Sequence, residues 1–391
     1  MLGPRATQAG TGAGAGSQAG SCAGAGPGRT PHTAREAAAA VEALLAEHLH
    51  TRLREARRVD AVFAEEVASR LVTFVLHGGK RLRTSFVWCG WLAAGGTGDP
   101  AAPLRVGAAL ELLQACALVH DDVMDESPVR RGAPSVHADF ARAHRAGRMR
   151  GSAASYSATA AVLAGDLALA WADDLLAETA LASPYGERLH EEWKAMRGEM
   201  VAGQYLDMRA QATGSSDPAQ AWNIATLKSA LYTVERPLAL GASLAGADAR
   251  AVDGLRSAGR CAGLAFQLRD DLLGAFGDPA VTGKSADEDL RGRKLTYLLA
   301  VALRIAAESG DTDALAVLGP QGPGGGSVGL MRSALERTGA RAVVEEEIAG
   351  LAESSLRHFA AGGADARARR EFAALVARAA GTVSALSGEG A

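Results

Sequence analysis

From Thr33 onward the apolar residues of this chain recur at spacings of three and four, as in Val41, Leu44, Leu45 and Leu49. That period belongs to helices with one buried face. β-Branched runs are short and aromatic residues make up only 5% of the chain, so strand signals are nearly absent. The fold class is therefore all-α. With 391 residues, 48% of them hydrophobic, the length permits one large helical body or two smaller ones. Clusters of glycine, proline and serine at 95–100, 127–134, 183–186, 213–218, 277–283 and 319–326 separate the helices.

Residues 1–33 are mostly Gly, Ala, Ser and Thr. They offer too little large apolar surface to offset ordering entropy, so a disordered extension is expected there, with the folded domain at 34–385. The formal charge of −3 gives no global basic field, which argues against nucleic acid as a partner. Any anionic substrate must be held by locally placed cations. The four cysteines (Cys22, Cys89, Cys116, Cys261) form no CxxC pair, which fits a reducing cytoplasm. No uninterrupted apolar stretch reaches about 18 residues, so no transmembrane segment is expected.

One segment, Glu111 to Asp125, reads as an apolar helix ending in a burst of acid: His120-Asp-Asp-Val-Met-Asp125. Asp121 and Asp125 are one turn apart on the same face, about 6 Å along the axis. Gln114 falls within about 20° of Asp121 on the helical wheel. Surface acids at a helix C-terminus oppose the macrodipole, where Lys or Arg would be the bland choice. Hard carboxylate oxygens of this kind suit Mg²⁺, which takes one or two carboxylates and completes its shell with water and phosphate oxygens. Arg130 and Arg131 follow in a turn, suited to bidentate grip on phosphate or simply to solvation.

A second apolar segment, Phe266-Gln-Leu-Arg-Asp-Asp271, carries Asp270 and Asp271 with Gln267 one turn earlier. Two acid-tipped helices, one from each half, can face each other across a bundle and share metals. Cations punctuate the same regions: Lys80 and Arg83, expected on one helical face after Gly78-Gly79, then Lys228, Lys284 and Lys294. The basic segment 142–152, with Arg142, Arg145, Arg148 and Arg150, reads as a solvated loop.

These motifs, in this order, together with Gly165-Asp166 and Gly203-Gln-Tyr-Leu-Asp207, resemble those of the trans-isoprenyl diphosphate synthases (polyprenyl synthetases), over about residues 40–380. The resemblance implies a single large helical bundle around a central cavity and a Mg²⁺-dependent prenyltransferase. It implies that isopentenyl diphosphate is condensed with an allylic diphosphate on three ions per site. Asp121, Asp122, Asp125, Asp270 and Asp271 would face the metals; Arg130, Lys228 and Lys284 would hold the allylic diphosphate, and Lys294 would also bind substrate. Lys80, Arg83, Gln114 and Arg131 would hold isopentenyl diphosphate, and Lys228, Ser229 and Gln267 would lie near the carbocation. A homodimer in the cytoplasm is the family expectation.

The chain departs from the family pattern at Gly274, where a third Asp is usual, at Thr84, where Pro is usual, and at Ser229, where Thr is usual. Product length is expected to be read by Ala117 and Cys116, with Leu113 a turn deeper; both upper residues are small, which points to a C20 product. One helical turn, about 5.4 Å, is close to one isoprene unit. Three other readings stay open: a terpene cyclase, an inactive partner subunit, and a di-iron bundle using Glu47-x-x-His50 and Glu187-x-x-His190.

Overall fold

The computed structural model describes residues 30–277, 288–319 and 328–381. Helix α1 (Ala34–Val59) starts where Thr33 accepts a hydrogen bond from the Glu36 amide, an N-cap that satisfies one otherwise orphaned donor. Helix α2 (residues 61–76) contains a π-helical turn at Ala64–Ala68, and is followed by α3 (Leu82–Ala93) and α4 (Ala101–Met124). A two-residue hairpin pairs β1 (Val129–Arg130) with β2 (Ala133–Pro134). Helices α5 (Val136–Ala146), α6 (Ala153–Leu181) and α7 (Gly186–Thr213) come next. Helix α8 (residues 218–244) is π-helical over Thr226–Glu235 and leads to α9 (Ala249–Phe276). The short α10 (Glu288–Arg291), α11 (Tyr297–Ser309), α12 (Thr312–Leu318), α13 (Val328–Arg337), α14 (Ala340–Ala361) and α15 (Ala366–Ala380) complete the described chain.

Helix α4 is the axis of the bundle. Val106, Ala108, Ala109, Leu110, Leu112 and Leu113 are wholly buried, so apolar side chains meet neighbours all round rather than along one stripe. Each buried leucine is worth about 1.5–3 kcal/mol relative to exposure. By length and hydropathy α4 also qualifies to cross a membrane, but it is the buried centre of the fold. It runs antiparallel to α6: Arg105 donates to Thr179 at one end, and His120 meets the Val162 carbonyl at the other.

The all-α class holds, the 127–134 breaker forming a small hairpin that gives four residues of strand among those described. One expectation needs adjustment. The extension expected over 1–33 yields its last residues to the folded body, since Thr33 caps α1 and the His32 carbonyl accepts from Arg367 Nε at 3.1 Å. Residues 1–29 and 382–385 lie outside the described residues.

Candidate active site

The helical frame of α4 carries the first acidic motif to its end. Asp125 is the C-cap, its amide bonded to the Asp121 carbonyl at 2.8 Å, so the two carboxylates share a face. Lys228 Nζ lies 3.2 Å from Asp121 Oδ1 and 2.6 Å from Asp207 Oδ2. Lys294 Nζ lies 3.4 Å from Asp125 Oδ2 and 3.6 Å from Asp207 Oδ2. Gln204 donates to Asp121 at 3.3 Å. Burial would raise the pKa of Asp121, yet Lys228, Lys294 and Arg130 outweigh it and hold the group below its usual value. The same contest, won by Lys294 and Lys228, keeps Asp207 ionised.

Asp122 sits about 100° further round the helix and behaves differently. It is fully buried and accepts from Arg130 Nε at 2.7 Å, while its Oδ2 has no hydrogen-bond partner. Burial pushes its pKa up to about 6, despite Arg130. Arg130 also reaches Asp121 at 3.5 Å, so Asp122 anchors a guanidinium at the edge of the carboxylate cluster.

Helix α9 brings the second acidic motif to the same place. It runs antiparallel to the π-helical segment, with Gly259 against Glu235 and Gly263 against Ala230, so Gln267 follows one turn on, towards Lys228. Gln267 donates to Asp271 at 2.7 Å, and Asp271 lines a small cleft together with Lys294. Lys294 thus pairs with Asp125 of the first motif and shares this cleft with Asp271 of the second. Asp270 is half-buried beside them on α9, and Ser229 is half-buried next to Lys228. Lys284 lies outside the described residues.

A second cationic group lies along the 77–83 segment. Arg83 donates to Thr233 Oγ1 at 3.1 Å and stacks 4.0 Å from the centroid of Tyr232, whose hydroxyl bonds to Gln114. Arg131, in the left-handed region at φ 53°, donates to the Gly78 carbonyl. The expectation that Lys80 and Arg83 share a helical face is wrong: α3 begins only at Leu82, and Lys80 is exposed in the preceding loop. Arg81 causes the break. It adopts φ 46° and is buried, bonding Glu111 at 3.0 Å and the Val75 carbonyl at 3.1 Å, which ties the loop to α4.

Asp207 is the residue that sequence reasoning passed over. It stood in view within Gly203-Gln-Tyr-Leu-Asp207, where Gln204 and Asp207, three apart, share a helical face. Gly203 lets α7 reach the π-helical backbone: a Cβ there would lie 2.4 Å from the Lys228 nitrogen. Among the candidate length-reading residues, Leu113 is wholly buried and Cys116 is buried with its Sγ 3.8 Å from His120 Nδ1. Ala117 is half-buried, on the Asp121 side of the helix.

The donor set fits a hard divalent cation. Asp121 and Asp125 stay partly open, with side chains 21% and 30% exposed, and already attract two ammonium groups. Among the described residues no three acidic, His or Cys side chains enclose one ion, so substrate oxygens and water must complete any Mg²⁺ shell. The di-iron reading needs Glu47, His50, Glu187 and His190 to project into the bundle core, and all four are exposed.

An all-helical prenyltransferase is the class that this fold and site define. The polyprenyl synthetase profile matches residues 65–325, and the chain belongs to that family of trans-prenyl diphosphate synthases. It is 36% identical to a geranylgeranyl pyrophosphate synthase of Corynebacterium glutamicum, solved with isoprenyl diphosphate and magnesium. That likeness has a TM-score of 0.81 and covers 87% of this chain and 98% of the other. The chain is 30% identical over 264 residues to the geranylfarnesyl diphosphate synthase of Aeropyrum pernix, 67% of this chain and 77% of that protein. It is 32% identical over 278 residues to a (2E,6E)-farnesyl diphosphate synthase of Mycobacterium bovis, 70% and 66% of the respective lengths.

Proposed function

We propose that the enzyme condenses isopentenyl diphosphate with an allylic diphosphate (dimethylallyl, geranyl or farnesyl) to give all-trans geranylgeranyl diphosphate. The observation that carries this reading is the convergence of Asp121, Asp125, Asp207, Lys228 and Lys294 beside a separate arginine group at Arg83 and Arg131. Two cationic groups suit two diphosphates, whereas a cyclase needs one. Magnesium, proposed at three ions per site, would be held by Asp121, Asp125 and Asp270 and would neutralise the departing diphosphate. Asp271, bonded to Gln267, would support that set, and Asp122 would serve it by fixing Arg130.

In the reaction the allylic carbon–oxygen bond breaks and its electron pair stays on the diphosphate, which Lys228, Arg130, Lys284 and Lys294 would hold. Lys80, Arg83, Gln114 and Arg131 would present isopentenyl diphosphate. Its double bond attacks the allylic cation, forming the new carbon–carbon bond, and a proton passes to a diphosphate oxygen. Ser229 and Gln267 would direct their oxygens to the cation. No protein nucleophile is needed: preorganised charge and exclusion of water supply the catalysis.

The C20 assignment rests on the small Ala117 on the Asp121 side of α4, with Leu113 buried below, and agrees with the geranylgeranyl name of the Corynebacterium neighbour. The described cysteines are unpaired, in keeping with a reducing cytoplasm. A homodimer is part of the proposal, supported by exposed Val162 and Leu163 on α6 and Val201 and Tyr205 on α7. Incubation with Mg²⁺, labelled isopentenyl diphosphate and each allylic primer tests the reading. A C20 product is expected; turnover of an allylic diphosphate alone would indicate a cyclase, and a dominant C15 or C25 product would overturn the chain length.

A further inference from the structure

The turn between α5 and α6 carries a surface that the reaction does not use. Residues 141–165 contain no Asp or Glu, in a chain that has 44 of them, yet include Arg142, Arg145, Arg148 and Arg150. Arg142 is paired with Asp139 at 2.7 Å, whereas Arg145, Arg148 and Arg150 are exposed and make no ion pair among the described residues. Met149, between the last two, is 39% exposed.

The turn is built rather than loose. The Met149 amide bonds to the His144 carbonyl at 3.1 Å, and the buried His144 ring bonds to the Arg150 carbonyl at 3.2 Å while packing against Tyr156. Arg148 takes a left-handed conformation, φ 50°, and Gly151 follows at φ 86°. Around it the exposed residues are small: Ala146, Gly147, Gly151, Ser152, Ala154 and Ser155. Three long cationic side chains and one thioether thus stand on a low platform.

Because α4 and α6 are antiparallel, with His120 beside Val162, the N-terminus of α6 lies at the same end of the bundle as Asp121 and Asp125. We propose that this turn docks the enzyme onto an anionic phospholipid surface. The arginines meet lipid phosphates through their guanidinium forks, their stems and Met149 enter the headgroup layer, and the small neighbours permit close approach. Each basic residue near an anionic leaflet favours binding about fivefold, so three give on the order of a hundredfold, a reversible and salt-sensitive attachment. Docking at this end would set the site mouth beside the phase into which an apolar-tailed product partitions.

Flotation of the full-length protein with phosphatidylglycerol/phosphatidylcholine vesicles at low ionic strength tests the proposal, in parallel with pure phosphatidylcholine vesicles. The protein is expected to float with the anionic vesicles only and to be released by salt. Arg145→Gln/Arg148→Gln/Arg150→Gln should lower that partitioning by one to two orders of magnitude, with an unchanged melting temperature and unchanged turnover without vesicles. Equal flotation with neutral vesicles, no flotation, or flotation that survives the triple substitution would each overturn it. So would a triple variant that loses kcat/KM in vesicle-free assays while the wild type ignores vesicles, since the turn would then steer dissolved diphosphate.

Discussion

Asp207 Oδ2 accepts a hydrogen bond of 2.6 Å from Lys228 Nζ, beneath the aspartates of the first acidic motif. Asp207 is 2% exposed and Lys294 also approaches it, so one buried carboxylate balances two lysines from different parts of the chain. Removing one partner of a buried pair costs about 3–5 kcal/mol, and the part-exposed Lys228 puts this case at the lower end. Asp207→Asn should therefore lower unfolding stability by about 3 kcal/mol and kcat by about 10²-fold. Asp207→Glu should recover part of both. A double-mutant cycle with Lys228→Met in urea denaturation measures the coupling; additive losses would show that the contact carries no energy.

Asp121→Asn and Asp125→Asn should each reduce kcat by about 10²–10³-fold or more, the range for removing one preorganised electrostatic group. They should also weaken Mg²⁺ binding measured by calorimetry in the presence of inorganic diphosphate. Retained metal affinity in both variants would move the metal site elsewhere.

The length gate gives a contrast between neighbours. Ala117→Phe should shorten the product to C15, because position 117 lies on the Asp121 side. Cys116→Phe should instead press on His120 and α6, where Gly165 leaves no room beyond the ring, and should lower stability by about 1–3 kcal/mol. Chromatography of the dephosphorylated products decides the first and thermal denaturation the second.

Asp122 predicts a pH dependence with a definite sign. Its carboxyl is raised from 3.8 to about 6 in the fold, so between roughly pH 4 and 6 the native protein holds a proton that the unfolded chain has lost. Stability contributed by this group is present at low pH and lost as pH rises through 6, by at most about 3 kcal/mol. In metal-free protein, the stability of wild type relative to Asp122→Asn should fall across this window and level off above pH 7. Asp121 and Asp207, whose pKa values are lowered, act below pH 4 and leave the window clear. A constant difference from pH 4 to 7 would show an ordinary carboxyl at 122.

The parts of the site that follow helical period were legible in the chain. Asp121, Asp125 and Gln114 sit on α4 as their spacing demands, and Gln267 reaches Asp271 one turn on. What escaped depends on backbone conformation or tertiary approach. The left-handed Arg81, stabilised by the distant Glu111, takes Lys80 off the helix, and no local signal marks such a residue when it is not glycine. The π-helical segment that carries Lys228 and Tyr232 is likewise silent in apolar spacing. Asp207 gains its meaning only when Lys228 and Lys294 arrive beside it.

That dependence on approach makes Gly203 a sharp test. An added Cβ would stand 2.4 Å from the Lys228 nitrogen and 2.7 Å from its Cα, distances at which backbone must move. The π-helical segment would shift away from α7, and Lys228 would be carried off Asp207 and Asp121. Overpacking of this kind costs about 1–3 kcal/mol of stability. Misplacement of a catalytic group by about 1 Å costs on the order of 10²-fold in rate, so activity should suffer more than folding. Gly203→Ala should thus stay folded at 25 °C, with kcat down about 10²-fold, while Gly198→Ala on the same helix, with open space around it, should leave both unchanged. If the two variants behave alike, the close packing of α7 on the π-helical segment does not set the position of Lys228.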